Sequence, residues 1–334
     1  MEFAEYLREN SHRFDEYLAT FFDSVDDPDL QRYLYAPLAA YTANAGKRHR
    51  PLICTLACQA VGGDGSEALS SAAAIEHFHN AALIHDDIAD DSLVRRGLPC
   101  MHVKEGLGIA VNAGDLALTL VIATPLSDPS LSDEKKLRVI GELVRMNEQT
   151  IDGQALDIGW ARDDRFDLTV DDYLKMATYK TAYYSGAVPL AIGAICGGGT
   201  EDQVEALRAF GLATGLAFQI QDDLLNLVGT AESTKKDFRS DITEGKRTYM
   251  AIHALGHSKD AAELHGILKA HTEDEARLAR AVSIMEEAGS IEEAREYADT
   301  LADDAAAALD DALPDSSAKA LLLSMAQFFV DRLG

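Results

Sequence analysis

The sequence predicts an all-α protein, a large bundle of helices, and three observations carry that prediction. Apolar residues recur at spacings of three and four from end to end, as in Leu207, Phe210, Leu212, Ala213, Leu216, Ala217 and Ile220. No segment alternates apolar with polar residues long enough to read as a strand. Gly and Pro punctuate the chain at intervals that leave room for ten or more helices joined by short loops.

Taken in order, the breaks fall at Pro28 and Pro37, at Ala45-Gly46 before Pro51, and at Gly62-Gly63-Asp64-Gly65. An apolar helix then begins near Glu67 and runs to the acidic stretch at Asp86. Further breaks fall at Gly97 to Pro99 and at Pro125 to Pro129. Ser132 followed by Asp133 and Glu134 reads as a helix start, as does Thr200 followed by Glu201 and Asp202, because a hydroxyl can cap the first free amides and acids favour the first turn. Gly197 to Gly199 precedes the second of these, and residues 229–240 form the last clear break. The stretch 258–312 is rich in Ala and Glu with helical spacing and reads as packing scaffold.

The 334 residues hold no stretch that reads as a linker, so one large helical domain is expected over 1–334 rather than two fused halves. A net charge of −26, with 34 Asp, 22 Glu and only 12 Lys, makes nucleic acid and anionic membrane surfaces poor partners. The scarcity of Lys suggests adaptation to a salt-rich cytosol, in which case the unfolding midpoint rises with added KCl. Apolar runs are interrupted by Gly, Pro or charge, so no transmembrane segment is expected. The start MEFAEYLREN lacks the basic and apolar blocks of a secretory signal, which points to the cytoplasm. Cys54, Cys58, Cys100 and Cys196 lack the paired spacing of a zinc site and read as small core residues.

The chemistry lies in two acid clusters. Asp-Asp occurs eight times in the chain, and a solvated face explains most of the pairs. Two stand apart because their helices are apolar up to the acids: SAAAIEHFHNAALIHDD, ending at Asp86-Asp87, and FGLATGLAFQIQDD, ending at Asp222-Asp223. Asp86 and Asp90 lie at i and i+4, Asp87 and Asp90 at i and i+3, so the carboxylates share a face and repel. Both pairs sit far from the helix starts where the macrodipole favours negative charge. A counter-charge is therefore needed, and carboxylate clusters with room for water and phosphate oxygens suit Mg²⁺.

Bases cluster beside glycine nearby. Arg95-Arg96-Gly97 follows the first acids, and Gly46-Lys47-Arg48-His49-Arg50-Pro51 forms a second basic loop. Balancing charges on an acidic surface would be scattered; these are grouped, and guanidinium and ammonium groups match phosphate oxygens. Two acid clusters and two basic loops describe a site for two diphosphates, one held through metal and one by bases alone.

These residues resemble the trans-isoprenyl diphosphate synthases, or polyprenyl synthetases. Asp86-Asp87-Ile88-Ala89-Asp90-Asp91-Ser92 with Arg95-Arg96-Gly97 and Pro99 is similar to that family's first aspartate-rich motif, and Phe218-Gln219-Ile220-Gln221-Asp222-Asp223 to its second. Gly46-Lys47-Arg48, Arg50-Pro51, Gly153-Gln154 with Asp157, Lys180-Thr181, and Gly245-Lys246 with Thr248 also match, in order, over about 40–250. Residues 251–334 match in helical character and in Phe328-Phe329 with Arg332. Asn226 stands where many members carry a third Asp in the second motif, and Lys235 where the family usually has Gly.

The resemblance implies an isoprenoid synthase fold, a helical bundle around a central cavity, with the two acid groups facing one another across it. It implies that Lys47, Arg50, His79 and Arg96 hold isopentenyl diphosphate without metal. Asp86, Asp90 and Asp222 would bind Mg²⁺, three ions with substrate present, that grip the allylic diphosphate, with Asp87 and Asp223 in support. Arg95, Lys180, Lys236 and Lys246 would contact that diphosphate, while Gln154, Asp157, Thr181 and Gln219 line the site. A homodimer is also implied.

The product tail is expected to run along the first acidic helix toward its start. Ala82 and Ala81, four and five residues before Asp86, are too small to stop a C15 chain, and Phe78 lies about 5.4 Å deeper, one helical turn and roughly one isoprene unit. This favours geranylgeranyl diphosphate (C20), with a C25 or longer product, or farnesyl diphosphate, as alternatives. A class I terpene cyclase has no second substrate for Lys47, Arg50 and His79 to hold. A head-to-head synthase is not expected to show the Arg95-Arg96-Gly97 run. A non-catalytic partner subunit usually lacks acids or bases that are present here.

Overall fold

Helices carry nearly all the regular structure of the computed structural model, which describes residues 2–22, 25–44, 46–229 and 239–331. By backbone contacts the chain divides into two compact units: Met1–Arg145 with Val188–Leu207 and Leu313–Leu322, and Met146–Ala187 with Arg208–Ala312 and Leu323–Gly334.

In the first unit, α1 (Phe3–Ala19) buries Phe3, Leu7, Phe14 and Leu18, a stripe at helical spacing. A continuous helical segment follows: α2 (Pro28–Leu30), a π-helical turn Gln31–Tyr35 and α3 (Ala36–Ala43). Asp27 caps its start by accepting from the amides of Asp29 (2.9 Å) and Leu30 (3.1 Å). The break expected at Pro37 is therefore not made. Proline lacks an N–H and its ring crowds the carbonyl four residues back; the wider π turn just before it relieves both problems.

Next come α4 (His49–Ala60), buried along most of its length, and a 3₁₀ turn Gly65–Ala68 with an Asp64/Glu67 capping box. This turn leads into α5 (Leu69–Ala89), the helix that ends in the first acids. Beyond it, β1 (Val94–Arg95) and β2 (Leu98–Pro99) form a two-residue antiparallel hairpin. Its turn residues Arg96 and Gly97 both have positive φ (51° and 80°), the geometry that matches strand twist in a tight hairpin. The pair is too short to leave an alternating pattern in the sequence.

After α6 (Met101–Lys104), α7 (Leu107–Leu126) corrects the expectation that no apolar run could span a bilayer. It is long and apolar enough by length and composition, with a mean hydropathy of 1.7 over its best window. One acid, Asp115, and two glycines interrupt it too weakly to lower that average. Its Ala110, Ala113 and Ala117 are buried in one apolar cluster with Ala81 and Ile84 of α5 and with Phe22 and Leu38. α10 (Val188–Cys196) is wholly buried, and Gly193 meets the Cys54 carbonyl of α4 so closely that a Cβ would stand 2.1 Å from it.

α8 (Asp133–Arg162) contributes residues to both units, and Ser132 caps it through the Lys135 amide (3.3 Å). The second unit continues with α9 (Val170–Ala177), started by a Thr169/Asp172 capping box, and runs directly into a π-helix, Thr178–Ala187. α11 (Glu201–Val228) begins at the expected place, with reciprocal hydrogen bonds between Thr200 and Gln203, and ends in the second acids. Buried Tyr173 of α9 meets Tyr249 edge-on, ring centres 5.9 Å apart, and Tyr249 in turn donates to Glu293 (3.2 Å) in the helix Ser290–Ala312.

Candidate active site

In the first unit, α5 delivers three carboxylates with different fates. Asp87 is 1% exposed; it accepts from the Tyr41 hydroxyl of α3 (3.2 Å) and from Nε of Arg95 on β1 (2.5 Å). The Cys100 thiol beside it is pushed up to about 11 by burial and by that carboxylate. Asp86 is half-buried and Asp90, the residue closing the helix, is exposed. One turn apart, these two present hard oxygen donors on one face.

The basic residues gather in the same unit. Arg50 donates to Nε2 of His79 (3.2 Å), and burial, reinforced by Arg50 and Arg96, holds His79 far below the usual imidazole range, so it is a neutral acceptor. Arg96 donates to the Asn44 carbonyl (2.7 Å), and its guanidinium lies 3.5 Å from where a Cβ on Gly46 would stand. Lys47 follows Gly46 and is exposed. Arg48, in the same basic loop, turns inward with positive φ and pairs with Asp15 (2.7 Å), Glu76 and the Thr42 carbonyl. It fastens the loop to α1 and α5. On α5, Phe78 and Ala81 are buried and Ala82 is half-buried.

In the second unit the α11 pair divides in the same way. Asp222 is exposed, while Asp223 is 9% exposed and accepts from the Tyr173 hydroxyl (2.7 Å) and the Gln219 amide (2.7 Å). Thr181 donates to Gln219 (2.8 Å), and Lys180 donates to Asp157 of α8. Gln154 sits half-buried beside Gly153, whose lack of a side chain lets α8 approach the π-helix; a Cβ there would be 2.2 Å from the Lys180 amide nitrogen. Lys246 pairs with Asp241 (3.1 Å) and Glu244 (2.9 Å). Burial raises the Asp223 carboxyl, and Asp241 adds to the rise.

Asn226 has a structural use. Its amide nitrogen donates to the Ser240 hydroxyl (3.0 Å) and its oxygen accepts the Asp241 amide (3.2 Å), so it fixes the segment bearing Asp241. A carboxylate could not make the first of these bonds as donor. Lys235, Lys236 and Arg332 lie outside the described residues.

Sequence reasoning missed Tyr41, Tyr173 and Asp241. Tyr41 and Tyr173 meet their carboxylates across 46 and 50 residues, and no spacing rule reports contacts of that range. Asp241 carries a local signal, an acid five residues before the matched Lys246. No three His, Cys, Asp or Glu side chains among the described residues form a ready-made metal cage. The carboxylates of Asp86 and Asp90, one turn apart, fit a cation such as Mg²⁺, which takes few protein ligands and keeps water and phosphate oxygens in its shell.

The polyprenyl synthetase family model matches residues 31–285. A short chain isoprenyl diphosphate synthase of Methanothermobacter thermautotrophicus is 38% identical over 339 residues, covering 99% of both chains. A geranylfarnesyl diphosphate synthase of Natronomonas pharaonis is 36% identical over 303 residues, 86% of each. Among solved structures, a geranylgeranyl pyrophosphate synthase from Corynebacterium glutamicum, complexed with isoprenyl diphosphate and magnesium, superposes with a TM-score of 0.85 at 30% identity, covering 99% of this chain and 98% of that one. The match runs well past residue 250, into the helices read from the sequence as scaffold alone. The chain belongs to the polyprenyl synthetase family and is a prenyltransferase that elongates isoprenyl chains.

Proposed function

We propose that this enzyme joins isopentenyl diphosphate head to tail to an allylic diphosphate in a Mg²⁺-dependent reaction whose main product is geranylgeranyl diphosphate. The observation that carries the reading is the grouping of Arg50, His79 and Arg96 in a chain with 30 bases against 56 acids, in the unit that also bears half-buried Asp86 and exposed Asp90. Lys47, Arg50, His79 and Arg96 hold isopentenyl diphosphate. Asp86, Asp90 and Asp222 are the carboxylates that carry Mg²⁺, as the magnesium bound to the Corynebacterium glutamicum relative supports. Bound Mg²⁺ neutralises the diphosphate that leaves the allylic carbon.

The remaining roles belong to the chain's own side chains. The ammoniums of Lys180 and Lys246 and the guanidinium of Arg95 add fixed positive charge where the leaving group becomes more negative, and the family resemblance gives Lys236 the same role. Their carboxylate partners, Asp157 for Lys180, Asp241 and Glu244 for Lys246, and Asp87 for Arg95, keep them in place before substrate arrives. The double bond of isopentenyl diphosphate supplies the electrons of the new C–C bond, so no side chain acts as nucleophile, and the released diphosphate takes the proton. Thr181, Gln219 and Gln154 order the site around Lys180.

Phe78 beneath the small Ala81 and Ala82 sets the length at C20. A C25 product is the second reading, favoured by the same small residues and by the geranylfarnesyl diphosphate synthase among the relatives. We also propose a homodimer: Leu137, Val144, Ile151 and Ile158 are exposed at successive seven-residue steps along α8, an apolar stripe suited to a second copy.

The deciding assay incubates pure protein with labelled isopentenyl diphosphate, Mg²⁺ and each allylic starter, and sizes the dephosphorylated alcohols. A C20 alcohol, abolished by EDTA, is expected. No elongated alcohol, or turnover that survives EDTA, defeats the proposal; a C25 alcohol selects the second reading.

A further inference from the structure

Both acid pairs are divided in the same manner, in separate units and by unrelated contacts. The second aspartate of each, Asp87 or Asp223, is buried with each carboxylate oxygen taken by a donor of the protein: Tyr41 and Arg95 at Asp87, Tyr173 and Gln219 at Asp223. The first aspartate of each pair is less buried: Asp86 is half-buried and Asp222 exposed. Successive residues of an α-helix point about 100° apart, so fixing one carboxylate in azimuth fixes the direction of the next. In each unit one of the two clamps is a tyrosine hydroxyl from a different helix, α3 for Asp87 and α9 for Asp223.

We infer that Tyr41 and Tyr173 are positioning residues for diphosphate binding: each anchors the buried aspartate of its pair so that the neighbouring carboxylates, Asp86 with Asp90 in one unit and Asp222 in the other, meet the metal–diphosphate complex without rearranging. The role suits tyrosine. Its hydroxyl reaches across a helix–helix gap on a rigid ring with two torsions and donates to a carboxylate oxygen. Tyr173 is 1% exposed and its ring is wedged edge-on against Tyr249, so its hydroxyl has little freedom to choose another acceptor. At Asp87 the same bond has a second effect: with Tyr41 on one oxygen, Arg95 is confined to the other, which orients the β1–β2 hairpin bearing Arg96.

The inference rests on the proposed diphosphate chemistry, and the test separates the two. Wild type, Y41F, Y173F and the control Y249F, which removes a hydroxyl bound to Glu293 instead, are compared for equilibrium binding of Mn²⁺ with inorganic pyrophosphate by calorimetry. The Mn²⁺ resonance spectrum and the melting temperature are recorded alongside, together with isopentenyl diphosphate binding in EDTA. Y41F and Y173F are each expected to weaken Mn²⁺-dependent pyrophosphate binding about tenfold, the loss of one hydrogen bond to the inner aspartate, and to broaden the Mn²⁺ spectrum. Metal-free isopentenyl diphosphate binding should stay as in wild type in Y173F, whose clamp lies in the other unit from Arg50, His79 and Arg96, and Y249F should bind pyrophosphate normally. Wild type that binds no Mn²⁺–pyrophosphate overturns the diphosphate chemistry and this inference with it. Wild-type binding retained in both Y41F and Y173F, or weakened equally in Y249F, overturns the inference alone. Should one tyrosine variant fold poorly, the other carries the same test in the other unit.

Discussion

Lys180 of the π-helix is bound to Asp157 of α8, so the cation is held by a carboxylate before any substrate is present. Lys180→Ala should lower kcat about 100-fold, the loss of one preorganised charge facing the leaving group. Asp157→Asn should cost about tenfold in kcat/KM, because the ammonium stays but its position loosens. Steady-state kinetics of both variants decides this; equal losses would mean that Lys180 serves the fold instead.

Asp86→Asn and Asp222→Asn should each reduce kcat by on the order of 10²–10³ and raise the Mg²⁺ concentration needed for half-maximal rate. Wild-type Mg²⁺ dependence in either variant would remove that residue from the metal ligands.

His77 on α5 is 1% exposed and faces Phe21 and Phe22 edge-on, and burial pulls its pKa down to about 4. The unfolded imidazole protonates near pH 6.5 while the folded one resists, so stability present above 6.5 is lost as pH falls toward 4, by roughly 3 kcal/mol from this group. Urea unfolding of wild type and His77→Phe at pH 7 and pH 4.5 should show the variant losing less stability over that interval. Equal losses would refute the assignment.

Ala81 is completely buried in a cluster with Ala110, Ala113 and Ala117, so Ala81→Phe has two expected effects. Overpacking should cost about 1–3 kcal/mol in stability, and the main product should become shorter than C20. Product sizing together with thermal unfolding reads both; a stable variant with unchanged product would show that position 81 does not limit the chain.

Replacing Leu137 and Ile151 by Glu places two charges on the exposed stripe of α8 and should convert a dimer to a monomer at micromolar concentration, read by light scattering. Unchanged mass would clear that stripe of the interface.

The acid-bearing ends of α5 and α11, the helix starts at Ser132 and Thr200, and the Gly97 turn were legible because each depends on residues within one or two helical turns. What escaped were features set by distant partners. Pro37 looks like a break until the π turn before it is known. Arg48 looks like a companion of Lys47 and Arg50 until Asp15 and Glu76 are brought to it. Asp87 and Asp223 carry no sign in the sequence of their partners Tyr41 and Tyr173, which arrive from other helices. α7 escaped for another reason: its interruptions were weighed singly, whereas lipid compatibility is a property of the whole segment.

The seam where α11 meets the π-helix is glycine on both sides: a Cβ on Gly186 would lie 2.0 Å from the Gly211 carbonyl oxygen, and one on Gly211 2.4 Å from that of Gly186. Randomised libraries aimed at altered specificity should therefore yield almost no survivors at these two positions. Engineers can vary the greasy residues freely only while this backbone-to-backbone joint is left intact.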